Sequence, residues 1–338
     1  MKFVSYLINN EERVGIYLNN KVFDLNHNGQ ELGVKLPSNI KNLLELEEAG
    51  MNKAREVFEA IQSGKTSIPV ELTAPLLAPV PSPPSCRDAY AFRQHVATAR
   101  RNRGVEMIPE FDQYPIFYFT NHNAVYGEGN VLVEDDHLQK LDFELEAAAV
   151  IGKRGKNISS KNADSYIAGY TIMNDLSARV LQMEEMKLNL GPAKGKDFAT
   201  TIGPWLVTPD ELETFKIETE FGNKYDLKMK AFHNGQQISD GNMKDMNWTF
   251  AEIIERCSYG TEIYPGDVIG SGTVGTGCYL ELNGTLALEA KAKGEEHTPI
   301  WLNDGDTIEL EMTGLGRLNN KIVKVKESNS ILAKKKNV

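Results

Sequence analysis

Three cysteines in 338 residues, at positions 86, 257 and 278, are too few and too irregularly spaced for a disulfide framework or a cysteine-rich zinc site. They fit a reducing compartment. No apolar run approaches the roughly 20 residues that a membrane-spanning helix needs. The first residues, MKFVSYLINNEERVGIY, also lack the apolar segment of a secretory signal, so a cytoplasmic protein with no membrane partner is expected. Positive charge is in deficit too. Lys and Arg number 37 against 47 Asp and Glu, and the formal net charge of -10 argues against nucleic acid or an anionic membrane as partner. The one basic cluster, Lys334-Lys335-Lys336, falls in a short tail (331–338) that reads as solvated. There is no internal repeat of fixed period and no low-complexity segment. What is present is ordinary for a globular chain: 41% apolar and 25% charged residues, enough for a large domain with a small companion.

That division is visible along the chain. Residues 1–78 read as a small α+β unit, in which KFVSYLI, RVGIYL and KVFDLN are short strands separated by Asn-rich turns. A helical stretch, SNIKNLLELEEAGMNKAREVFEAIQSG, follows and ends at a glycine. Prolines 79, 81, 83 and 84 mark residues 79–85 as a stiff, extended linker. From 86 to about 330 strands predominate, among them NVLVE, GPWLVTP, DLKMKAFHNGQQIS, GDVIGSGTV, CYLELNG and DTIELEMTGLG. Helices are expected near NADSYIAGYTIMNDLSARVLQMEE and TFAEIIERCSYG. The fold class is therefore α+β and β-rich, a main domain with a small N-terminal α+β domain.

The chemistry concentrates in LDFELEAAAVIGK. Period-two alternation sends Asp142, Glu144 and Glu146 to one side and Phe143 and Leu145 to the other. The following Ala147-Ala148-Ala149-Val150-Ile151 reads as strand buried on both faces, so the carboxylates at its mouth need a cation. Asp88 in CRDAYAFRQH and Asp175 in GYTIMNDLSAR are further acidic candidates. Oxygen donors without His or Cys suit a hard divalent cation and disfavour zinc or copper.

In order and context, D…E-x-E…D with RQH after the first Asp and NDLSAR at the last resembles the fumarylacetoacetate hydrolase family. GKDFATTIGPWLV, YPGDVIGSGTVG and GDTIELEMTGLGRLNN extend the resemblance over residues 86 to about 326. It implies that family's mixed β-sandwich roll and a homodimer. It also implies a Mg²⁺, Ca²⁺ or Mn²⁺ site ligated by Asp88, Glu144, Glu146 and Asp175, with Lys196 beside the metal but not bound to it. Asp142 matches no ligand. In the branch represented by fumarylacetoacetase, a His shortly after the first metal Asp is the general base and a Glu orients it; His95 and Glu281 match these, Glu281 lying in the presumed strand CYLELNG. Arg179, Gln182 and Lys196 correspond to residues that stabilise an oxyanion and hold substrate. Tyr118 and Thr273 correspond to substrate contacts.

The implied reaction is hydrolysis of a carbon–carbon bond in a 1,3-diketo acid. With fumarylacetoacetate it gives fumarate and acetoacetate, the last step of tyrosine and phenylalanine catabolism. Other members of the family act as acylpyruvate hydrolases, 2-keto acid decarboxylases, hydratases or isomerases. The H-x-x-E lid of the acylpyruvate type is missing, since Val96-Ala97-Thr98 follows His95. A second substrate tyrosine of fumarylacetoacetase is missing as well, where MEEMKLNL offers methionines at 183 and 186.

Overall fold

The structure, a computed structural model, describes residues 1–72 and 74–334. An eleven-stranded sheet organises the chain. Its central order runs Thr200–Val207, Ile167–Asp175, Leu145–Ile151, Val268–Gly270, Cys86–Ala89 and Phe117–Thr120. A five-stranded sheet packs against it, ordered Gln236–Asn242, Lys228–His233, Thr307–Met312, Gly316–Lys324 and Gly129–Val133. The result is the expected sheet-rich α+β class.

Why the central strands lack polar faces follows from what lies on either side. Leu145–Ile151 and Ile167–Asp175 are buried at every residue. Ala147, Ala149 and Ile151 enter the core shared with the five-stranded sheet, against Ala231, Leu310 and Leu318. Their neighbours Ala148 and Val150 enter a second core, with Phe3, Val14, Leu43 and Val57 of the N-terminal unit. A strand clothed on both sides needs apolar residues at both parities.

Residues 1–70 extend the main sheet directly. The strand Lys2–Ile8 pairs antiparallel with Thr200–Val207, in register Lys2↔Val207 and Phe3↔Leu206. The proline-rich stretch is tied to the strand Lys2–Ile8. Ala78 and Val80 are buried, Leu77 N–H donates to the Ser5 carbonyl at 2.9 Å, and Ser5 Oγ donates to the Pro79 carbonyl at 2.9 Å. At the other terminus the Ile331 and Leu332 amides donate to Asp136 at 2.7 and 3.0 Å. The rest of the basic tail, residues 335–338 with Lys335 and Lys336, lies outside the described residues.

Two segments differ from the pattern read along the chain. NADSYIAGYTIMND is a short helix, a single 3₁₀ turn and then the central strand Ile167–Asp175, with the helix Arg179–Met186 only after it. Double-sided burial had erased the alternation that marks a strand. CYLELNG is not a strand but the start of the helix Tyr279–Lys293. Its alternating Leu280 and Leu282 mimic a strand, yet the Asp142 carboxylate takes the N–H groups of Tyr279 (2.7 Å) and Leu280 (2.9 Å), which a helix start leaves free.

Candidate active site

Strand parity brings the carboxylates together. Asp88, Glu146 and Asp175 share parity with Cys86, Ala148 and Met173, all members of the core beneath the N-terminal unit, and stand on three strands of the sheet, with Val268–Gly270 between that of Asp88 and that of Glu146. Glu144 joins them from the residue before the strand. One oxygen from each of Asp88, Glu144, Glu146 and Asp175 lies within 4.8 Å of the others, and all four side chains are buried. The space between them exists because position 270 is glycine. A Cβ there would stand 2.5 Å from Asp88 Oδ1, 2.8 Å from Met173 Sδ and 2.9 Å from Glu146 Oε2. Gly272, at φ +79°, turns the chain so that its N–H donates to both Asp88 Oδ1 and Glu146 Oε2 at 3.1 Å.

Two cations offset part of this charge. Lys196 Nζ donates to Glu144 Oε2 (2.5 Å) and Asp175 Oδ2 (2.6 Å). Arg179 reaches Glu144 Oε1 (2.8 Å) and Asp142 Oδ2 (2.7 Å). Tyr118 Oη donates to Asp175 Oδ2 at 2.5 Å, from a strand in which it faces Asp88 in register. Five buried carboxylates thus face two buried cations. Burial, then Asp175, push Asp88 up to about 7. Burial and Asp88 raise Glu146 well above the ordinary range, and Asp175 is also raised, burial outweighing Lys196. Glu144 goes the other way: burial alone would raise it, but Lys196 and Arg179 hold it far below its usual value. Glu146 Oε1 and Asp175 Oδ1 are buried with no hydrogen-bond partner among the described residues. Excess negative charge, orphaned carboxylate oxygens and an oxygen-only donor set fit a hard divalent cation.

The second half of the site is built by two crossing helices. His95 sits in the first turn of Arg93–Asn102, and Glu281 in the first turn of Tyr279–Lys293. They approach closely where a Gly284 Cβ would meet Asn102. His95 Nδ1 lies 2.6 Å from Glu281 Oε2, both side chains being buried. An ionised carboxylate only accepts, so Nδ1 carries the hydrogen, and in the neutral ring the lone pair is on Nε2. Glu281 Oε1 is fixed in turn by the Thr276 N–H at 3.0 Å.

Both halves open on one cavity of about 830 Å³. Asp88, Glu144, His95, Arg179, Gln182, Lys196, Tyr118 and Thr273 line it, whereas Glu146, Asp175 and Glu281 stand behind the wall. Most hydrogens of Arg179 and Lys196 go to carboxylates, which leaves Lys196 one ammonium hydrogen for substrate. Arg179 also donates to Gln182 Oε1 at 2.9 Å, which leaves the Gln182 amide nitrogen uncommitted among the described residues. Met183 and Met186 form wall where the second tyrosine is missing. Arg100 and Arg103, which the residue pattern did not single out, also line the cavity; Arg103, eight residues beyond His95, falls near its side of the helix, whereas the spacing of five to Arg100 carries no such signal.

Comparison with known proteins agrees with this geometry. The model of the fumarylacetoacetate (FAA) hydrolase C-terminal family matches residues 85–323. The chain belongs to that family. A fumarylacetoacetate hydrolase domain-containing protein 2 homolog of Dictyostelium discoideum is 28% identical over 95% of this chain and 97% of its own length. Fumarylacetoacetase of Arabidopsis thaliana is 34% identical over 50% of this chain and 47% of its own. The human mitochondrial oxaloacetate tautomerase FAHD2A is 28% identical over 85% of this chain and 81% of its own. Among solved structures, a putative HpcE protein from Mycobacterium smegmatis shares the fold, with a TM-score of 0.68 at 21% identity over 96% of this chain and all of that one. No described helix is long and apolar enough to cross a membrane.

Proposed function

We propose that the protein is a divalent-cation-dependent hydrolase that cleaves the carbon–carbon bond of a 1,3-diketo acid, with fumarylacetoacetate as substrate and fumarate and acetoacetate as products. The observation that carries this is the His95–Glu281 pair at 2.6 Å, opening on the same cavity as the carboxylate cluster. Asp88, Glu144, Glu146 and Asp175 would hold the cation, Mg²⁺ or Ca²⁺ with Mn²⁺ also suited to the oxygen ligands. A cation so bound supplies Lewis acidity to the substrate's ketone oxygens.

The chain's own residues do the rest. His95 Nε2 takes a proton from water as it attacks the carbonyl, and Glu281 keeps the proton on Nδ1 and steadies the imidazolium that forms. The Gln182 amide and Thr273 hydroxyl, on the cavity wall, are placed to donate to the oxyanion and substrate. Lys196 and Arg179 act chiefly by fixing Glu144 and Asp175, Lys196 with one ammonium hydrogen to spare. His95 later returns its proton to the departing carbon.

A second reading is oxaloacetate tautomerisation, favoured by the human relative of that name, which aligns over 85% of this chain. Proton transfer at carbon would use the same imidazole but no attacking water. Assaying fumarylacetoacetate, acetylpyruvate and oxaloacetate side by side, with Mg²⁺ or Mn²⁺ present, separates the two. Rapid cleavage of fumarylacetoacetate supports hydrolysis; enol–keto interconversion of oxaloacetate with no cleavage of either diketo acid would replace it.

A further inference from the structure

We propose that Cys278, His95 and Glu281 form a second metal site, separate from the carboxylate cluster, that takes a thiophilic dication of the zinc class and silences the enzyme when filled. One ligand atom from each residue lies within 4.8 Å of the other two, close enough to converge on a single ion, and all three side chains are buried. The fold makes the convergence local. Cys278 caps the helix Tyr279–Lys293 and Glu281 lies three residues on, so the two share a face. The crossing helix Arg93–Asn102 lays His95 across that face.

The donor set decides which metal this is. Sulfur, imidazole nitrogen and one carboxylate oxygen suit a four-coordinate zinc-class ion, with the fourth position left to water. The neighbouring cluster of four carboxylates offers neither nitrogen nor sulfur and selects hard cations, so the two sites sort metals by softness. Entry is available because His95 lines the cavity. The thiol gives its proton to solvent as the metal arrives. Burial, followed by Asp142, keeps the metal-free thiol protonated, so the cysteine is not a competing nucleophile at rest.

Occupation of this site is incompatible with the role of the His95–Glu281 pair. An ion shared with Glu281 sits on the Nδ1 side of the ring; the Nδ1 hydrogen moves to Nε2 as the metal binds, so the imidazole keeps no free lone pair for water, and Glu281 turns from orienting partner to ligand. The inhibitory half of the proposal rests on His95 being the base; the binding half does not. Cadmium is the probe, since its thiolate complexes absorb in the ultraviolet by ligand-to-metal charge transfer. Mg²⁺-saturated protein is titrated with Cd²⁺ while absorbance and diketo-acid turnover are read together, in wild type, Cys278→Ser, Cys278→Ala and, as a control thiol, Cys257→Ser. The expected result is a band that saturates at one Cd²⁺ per chain, is lost in both Cys278 variants and is kept in Cys257→Ser, with wild-type turnover falling as the band rises. No band, or a band that persists in both Cys278 variants, overturns the site. A Cys278-dependent band with undiminished turnover keeps the binding site and overturns both the inhibition and the reading of His95 as base.

Discussion

Gly270 is the residue on which the proposed metal site most depends without contributing a ligand. Its missing side chain is the space the carboxylates share, since a Cβ would press on Asp88, Glu146 and Met173 at once. Two of those neighbours belong to the cluster, and all three are buried, so none is the loose end of an exposed side chain. Gly270→Ala should therefore cost about 1–3 kcal/mol of stability by overpacking and abolish measurable Mg²⁺ binding by calorimetry; unchanged affinity would show that the cluster does not need that space. Lys196 makes the opposite forecast. It is the counter-charge of Glu144 and Asp175, so Lys196→Met removes positive charge from beside the cation. Metal affinity should hold or rise, while kcat/KM should fall on the order of 10²-fold as carboxylate geometry and a donor are lost. Weakened Mg²⁺ binding in that variant would mean that Lys196 supports the site in some other way.

At the scale of elements, the helix Tyr279–Lys293 joins the two halves of the site. Asp142 accepts from its first two amides and from Arg179, so one buried carboxylate fixes both the helix that carries Glu281 and the guanidinium that holds Glu144. Asp142→Ala takes from buried Arg179 one of its two carboxylates and leaves the Tyr279 and Leu280 amides without their acceptor, and a loss of about 3–5 kcal/mol in urea unfolding is expected. A loss near zero would make Asp142 a bystander. This is also where the sequence was hardest to read. The E-x-E strand mouth and the aspartates of RDAYAF and NDLSAR were legible because carboxylates beside an apolar run have no cheap burial without a partner. The helical start at Cys278 was not, because its cap is supplied from a residue 137 positions away. Ile167–Asp175 was misread for a related reason: with a core on each side, a strand loses the alternation by which it is recognised. Alternation put Asp142 on the face of Glu144 and Glu146 and the resemblance left it out of the ligand set; the long-range contact with the helix gives it a role of its own.

For the whole molecule, the two sheets and the N-terminal helices clothe the central strands on both faces, and the carboxylate cluster is buried as a consequence. Folding therefore carries an electrostatic cost that a cation relieves. Asp88 rises from its ordinary 3.8 to about 7 in the folded, metal-free chain. Between those values the folded state holds a proton that the unfolded state has released, so this group's contribution to stability is full below the lower value and is lost as pH rises through the upper one. On the proposed assignment Mg²⁺ binds the ionised cluster, and it should then raise Tm more at about pH 8 than at about pH 5. A shift that is equal at both, or larger in acid, would mean that the cluster is already ionised without metal.

The dependence of catalysis on the pair built by the two crossing helices is tested most directly by a double-mutant cycle. Turnover of fumarylacetoacetate by Mg²⁺-loaded wild type, His95→Ala, Glu281→Gln and the double variant would be measured, with metal affinity checked in each. If Glu281 acts only through His95, each single change disables the same step, metal binding survives, and the double variant is little slower than His95→Ala, because residues that act as a unit are strongly non-additive. Independent, multiplicative losses, or a His95→Ala variant that still cleaves the diketo acid, would contradict it.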